Sequence, residues 1–204
     1  MALSFPLTPP ATGRRRASFR AQSTVGVSRS PFTGEQQVYV HQGEWWEADF
    51  EIALAKRAAA EPWVAFLTAL NGMEGTFLIG DPSNSSPLGS WAGSPKVLGA
   101  HAAGVKSIAM DGFTAAATVK GGDWFQTGSG SSTRLHKVVQ DATADGSGLA
   151  TLEVWPRTRA ALADDATFTT SSAKGVWRLA SNSREWVVDL GGIYAVRFSC
   201  IEAL

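Results

Sequence analysis

Cysteine is almost missing from this sequence. Its 204 residues hold one, Cys200, which excludes an internal disulfide and any cysteine-built metal cluster. Histidine is also scarce: His41, His101 and His136 are scattered, with no HxH or HExxH spacing. Charge is thin. Charged residues make up 18% of the chain, and 18 Lys+Arg balance 18 Asp+Glu. A net charge of zero argues against a general nucleic-acid binder, whose footprint is a basic excess, while leaving room for a local basic patch. The low charged fraction points to surface covered by other subunits. No apolar run approaches the length of a transmembrane helix. The N-terminus, MALSFPLTPPATGRRR, sets its apolar residues before its arginines, the reverse of a secretory signal. Together these absences predict a chain made in a cytoplasm that stays soluble.

What is abundant is strand signal. Eight tryptophans and ten phenylalanines lie in short stretches between Gly, Ser, Pro and Asp-rich turns. Across Glu44–Lys56, Trp46, Ala48, Phe50, Ile52 and Leu54 alternate with Trp45, Glu47, Asp49, Glu51 and Ala53, so one face meets a core and the other carries three carboxylates. Arg16–Ser28 and Glu35–Gln42 read as further strands joined by the turn Pro31-Phe32-Thr33-Gly34, with Gly43 marking the next reversal. One helix is predicted, from about Arg57 to Leu70: Trp63, Phe66, Leu67 and Leu70 form a single apolar stripe, and Asn71-Gly72 closes it. Pro62 belongs in a first turn, which moves the expected start toward Ala60 or Glu61. Thr76–Ile79 reads as a short buried strand.

Residues 83–95, SNSSPLGSWAGSP, read as a linker. A second β-rich block follows to about Arg178, with strands near 97–100, 105–110, 123–127, 134–140, 149–155 and 167–170. Short strands in that number suggest a small barrel of OB type. The final segment alternates Tyr194, Val196, Phe198 and Cys200 with Ala195, Arg197, Ser199 and Ile201, and such a strand needs a sheet to join. The expected fold is therefore mainly β with one helix: a first domain at 1–82 completed by 179–204, and an inserted OB-like β-barrel at 83–178.

No constellation reaches a catalytic signature. Glu47, Asp49 and Glu51 stand about 7 Å apart along one strand face. Glycosidase carboxylates flank a cleft instead, so a solvated or inter-subunit face is the better reading. Ser131, Ser132 and His136 are close in sequence but lack a nucleophile elbow. Cys200 falls on an apolar face and reads as a buried hydrophobe. The paired glycines at 121–122, 128–130 and 146–148 lack phosphate-loop spacing. Trp124, Trp155 and Trp177 could form a stacking platform for sugars or bases, or pack into a core.

Two stretches, residues 30–82 and 122–159, resemble tail-tip proteins of long-tailed bacteriophages and prophages, of the distal tail kind. In that family an SPFTG-type turn leads into an E/W-rich strand, a helix carrying W-x-x-F-L, and a G-T-F-L-x-G-D-P ending. The matching elements are Ser30–Gly34, Trp46–Phe50, Trp63 with Phe66 and Leu67, and Gly75–Pro82; downstream, Leu135–Val138 and Ala150–Pro156 match its hairpin. These matches cover about half of the chain, and they are structural motifs rather than catalytic ones.

The resemblance implies a subunit of a homo-oligomeric, six-fold ring at the virion tail tip, assembled in the host bacterial cytoplasm, with no enzyme activity, cofactor, metal or membrane insertion. Its first domain would be a tail-tube-like β-sandwich. Its partners would be the tail tube protein, the tail hub protein and, in some phages, receptor-binding or fibre proteins. DNA would pass through the lumen without specific binding. The sequence departs from longer members of the family in its small inserted domain, which argues against a large carbohydrate-binding appendage. On this reading Glu47, Asp49 and Glu51 form either an acidic lumen face or an interface pairing with a neighbour's Arg16, Arg20 or Arg197. Other readings are an OB-like binding module for oligosaccharide or single-stranded nucleic acid using Trp124, Trp155 or Trp177, a neighbouring minor tail protein, and, third, a cell-wall hydrolase.

Overall fold

The fold is that of a computed structural model, which describes residues 3–11 and 13–204. It is mainly β, as predicted. Strands β1 (Arg14–Arg29) and β2 (Gln36–Ile52) form one long hairpin. After β3 (Ala55–Lys56) come helix α1 (Arg57–Ala69) and β4 (Phe77–Ile79). The middle of the chain supplies β5 (Gly93–Val97), β6 (Ser107–Phe113), β7 (Thr118–Val119), β8 (Trp124–Thr127), β9 (Arg134–Val138), β10 (Ala142–Thr143) and β11 (Ala150–Trp155). Then come β12 (Gly175–Leu179), β13 (Trp186–Val188) and β14 (Ile193–Glu202).

The first body is a seven-stranded sheet in which β1, β2, β14, β12 and β4 lie side by side, with β3 and β13 pairing the N-terminal part of β14. The alternation holds within β2, where Trp46, Ala48, Phe50 and Ile52 are buried and Trp45, Glu47, Asp49 and Glu51 are half-buried on the other face; Leu54, expected on the core face too, lies past the end of the strand and is exposed. Val196, Phe198 and Cys200 of β14 and Trp63, Phe66 and Leu67 of α1 complete this core. Each large apolar side chain buried here contributes about 1.5–3 kcal/mol.

In the second body, β5, β6, β11, β9 and β8 form a five-stranded antiparallel sheet, with β7 and β10 as a separate ribbon. Residues 167–169 bridge both of its edges, Thr167 to Lys96 of β5 and Thr169 to Gln126 of β8. Val97, Ile108, Met110, Phe125, Leu152 and Val154 fill the space inside.

Four local expectations are corrected. Gly43 does not reverse the chain: β2 runs through it, and His41, Gln42 and Gly43 together oppose Thr24 in a bulge. A Cβ at Gly43 would stand 2.6 Å from the Thr24 hydroxyl, so the glycine serves a close cross-strand approach. The helix starts at Arg57, with Pro62 inside it. The N–H that Pro62 lacks would have served the carbonyl of Ala58, an exposed residue that water can reach. Asn71 and Gly72 do close the helix with positive φ.

Residues 83–95 are not a free linker. Trp91 is part of the second core, and the buried Asp123 carboxylate accepts from the N–H groups of Leu88 and Gly89 and the Trp91 indole. Nor does the first sheet regain the chain only at 179. All of β12 belongs to it, with Gly175 opposite Ile79 and Trp177 opposite Phe77. The two bodies also share a core, because Trp124 and Leu135 of the second pack among the first body's buried residues. A buried ionic cluster adds to this seam. Glu44 of β2 meets Lys106 at 2.6 Å and accepts from the Arg157 N–H, while Glu202 of β14 pairs with Arg159 at 3.2 Å.

Candidate functional site

The charged face predicted on β2 is organised by the registers on either side of it. On β1, Arg16 stands opposite Glu51, Ser18 opposite Asp49 and Arg20 opposite Glu47; on β14, Arg197 stands opposite Glu51 and Ser199 opposite Asp49. The three carboxylates thus form a central column flanked by guanidinium and hydroxyl groups. Arg20 reaches both Glu47, at 3.4 Å, and Asp49. Glu47 also accepts from the Gln22 amide at 3.1 Å and the Trp45 indole at 3.2 Å, Asp49 accepts from Ser199 at 2.6 Å, and Glu51 pairs with Arg197 at 3.3 Å.

These partners set the protonation states. The Arg20 hydrogen bond, then the Ser199 hydroxyl, hold Asp49 below the usual carboxylate range against the opposing effect of burial. Gln22 and Trp45 do the same for Glu47. Arg20 in turn is pushed further up by Asp49.

The face that carries these residues holds both signs of charge. Three carboxylates share the face with Arg15, Arg16, Arg20 and Arg197, and every carboxylate already has an arginine partner in its own chain. Arg15, not Arg16, pairs with Glu51 across β1, at 3.6 Å. A register irregularity between Arg14 and Arg16 sets both Arg15 and Arg16 against Glu51, and strict alternation in the sequence does not reveal it.

Arg16 instead lines a cleft of about 800 Å³ between the 180–185 segment and the β1–β2–β14 face. The cleft exists because β14 changes partner there: β12 leaves it at Leu179, opposite Cys200, and β13 joins it at Trp186, opposite Val196. Its apolar lining comes from Leu67, Leu179 and Phe198, and its rim carries Arg16, Arg184 and Arg197 with Asp49, Glu51 and Glu185. Polar and charged side chains outnumber apolar ones in this lining, so the cleft is a mostly polar groove over a small apolar floor. Among the described residues, Arg16 and Arg184 make no ion pair. Arg184 could have been found in the sequence only by knowing that the chain leaves the sheet at 180–185.

The three tryptophans do not form a platform. Trp177 is fully buried and donates to the Ile79 carbonyl at 2.8 Å, and Trp124 is buried against Phe19 and Trp46 under the Lys137 ammonium. Only Trp155 is partly exposed, and it meets Trp46 edge-on at 4.3 Å. Sequence alternation marked them as aromatic but not as the seam between two bodies.

His136 is buried with Phe125 stacked on it. Its Nδ1–H donates to the Pro156 carbonyl at 2.9 Å, leaving Nε2 to accept from Thr127. Burial lowers its pKa to about 4. Ser131 and Ser132 lie in the 3-10 turn Gly130–Ser132, with Ser132 bonded to Ser129. Cys200 is buried and its thiol is pushed well up by that burial and by the nearby Asp49 charge.

A second unpartnered feature lies at the other end of the same hairpin. Beyond the bulge, Val25 opposes Val40 and Val27 opposes Val38, and all four are 48–61% exposed. Tyr39 on the opposite face is exposed too, and Phe32 in the turn is 95% exposed. The mirrored Val-x-Val runs were visible in the sequence; that nothing covers them was not.

No known family's sequence profile matches the chain, and no curated protein does. Among the described residues no helix is long and apolar enough to cross a membrane.

Proposed function

We propose that this chain is a structural subunit of a long-tailed phage tail tip, a distal tail ring protein that joins the tail tube to the hub and lets DNA pass without binding it specifically. The seven-stranded sheet with α1 is then the tail-tube-like sandwich domain, and the five-stranded sheet closed by residues 167–169 is the small OB-like barrel. The observation that carries this reading is the outer half of the β1–β2 hairpin. A two-stranded ribbon with apolar side chains bare on both faces is marginal alone, and an assembly subunit is the kind of protein that covers such a ribbon with a neighbour. The charge-balanced sheet face fits a surface that meets other subunits or passing DNA without strong attraction to either.

As a ring subunit it carries out no catalysis and works through contacts with copies of itself, the tail tube protein, the tail hub protein and any receptor-binding or fibre protein. Native mass spectrometry of the purified chain tests the ring. A six-fold mass is expected; a chain that stays monomeric at its highest soluble concentration would overturn the ring.

A further inference from the structure

We infer that Phe32, at the tip of the β1–β2 arm of one copy, seats in the 800 Å³ cleft beside β14 of a second copy, making arm and cleft the two halves of one head-to-tail contact. The knob is a fully presented aromatic ring on a hairpin turn braced by its own hydrogen bonds: Ser30 Oγ accepts from the N–H groups of Phe32 and Thr33, and Gly34 N–H donates to the Ser30 carbonyl. The hole has an apolar floor at Leu67, Leu179 and Phe198.

The tip cannot reach its own cleft. Arg16 and Ser18 line the cleft while Arg29 ends the strand, a separation of roughly 40 Å at strand rise. The charges left over also match. Among the described residues, Glu35 and Arg29 beside the tip make no ion pair, nor do Arg16, Arg184 and Glu185 at the cleft rim, so each patch offers both signs of charge to the other. Next to the cleft, β13 exposes Trp186 and Val188 on one face and Val187 on the other, apolar surface for the valine face of the arm. An aromatic ring buries roughly 150–250 Å², and the four half-exposed valines of the ribbon face add further apolar area beside it.

A contact between two different patches of one chain is heterologous, so it propagates until a rotation closes it. The contact itself stands apart from the tail-tip reading; only its closure at six rests on that reading.

Complementation tests it. Phe32→Ser removes the knob and Ala180→Trp fills the hole; both positions are exposed, and each variant is first checked for a wild-type circular dichroism spectrum, since lost association alone would lower its melting temperature. Each variant alone is expected to self-associate at least about 30-fold more weakly than the wild type, as for loss of a hot-spot aromatic. Mixed in equal amounts they should form a one-to-one dimer, because one supplies an intact cleft and the other an intact arm. Three results would overturn the contact: a monomeric wild type, an Ala180→Trp protein that associates like the wild type, or a mixture with no dimer. A six-fold wild type untouched by Ala180→Trp would keep the ring and reject the contact. Wild-type oligomers of another size with successful complementation would keep the contact and reject the six-fold ring.

Discussion

One hairpin has two contrasting halves. Up to the bulge at Thr24, β1 and β2 are held on three sides: Ala17 and Phe19 pack on the core, arginines clamp the opposite face, and β14 lies along the edge of β2. Past the bulge the same two strands keep their mutual hydrogen bonds and lose everything else. The difference shows that strand pairing and strand stability are separate properties. Ladder hydrogen bonds persist in both halves, but only the inner one has burial to add to them, and isolated ribbons are marginal without it. The inner half belongs to the fold; the outer half is built for something outside it.

The largest expected break in this comparison is Phe50→Ala. Truncating a fully buried ring should destabilise the protein by about 3–5 kcal/mol in urea unfolding, whereas Val27→Ala, the same kind of truncation past the bulge, should change stability by less than about 0.5 kcal/mol. Equal effects would mean that the outer half is packed after all.

Acid should act next. The unfolded chain protonates His136 as pH falls through 6.5, while the folded chain resists until about 4. Stability is therefore fully present above 6.5 and declines toward 4, by about 3 kcal/mol in total. His136 adjoins Leu135, whose carbonyl receives the Trp46 indole at 3.0 Å, so the decline undermines the inner half. Unfolding followed between pH 7 and 4 should show this slope, flattened in His136→Gln.

A smaller effect is expected from Asp49→Asn, which removes the strongest partner of Arg20. Its melting temperature should fall by a few degrees at low salt, and the gap should close near ~1 M salt, where the Debye length is about 3 Å. Smallest of all, Val25→Thr with Val38→Thr should leave the monomer's melting temperature unchanged while weakening association.

The inner half was largely legible in the sequence, because period-two alternation from Trp46 to Ile52 states both faces at once. So was the helix stripe from Trp63 to Leu70, and so was the return of Val196, Phe198 and Cys200 to the first sheet. What could not be read depends on register. Arg15 replaces Arg16 because of an irregularity that no single strand encodes. Gly43 looked like a turn because a glycine that permits close approach and one that permits reversal are the same residue in a sequence. Trp124 sits on the second body's strand β8 yet packs with the first body's core, a fact carried by the docking of two sheets. The cleft arises where β14 exchanges β12 for β13, and neither partner's sequence announces the gap.

The position of β14 has a consequence in time. Its Cys200 lies against Ala48 across a separation of 152 residues, so ribosomes adding about 5–20 residues per second make the two strands on the order of ten seconds apart. Until β14 arrives, the edge of β2 that it will cover is unpaired, beside Trp46 and Phe50. During synthesis this protein therefore passes through an interval in which the open edge of β2 is available to any other nascent chain. The arginines of β1, already made and already opposite the carboxylates, are the charges then available to discourage a wrong partner.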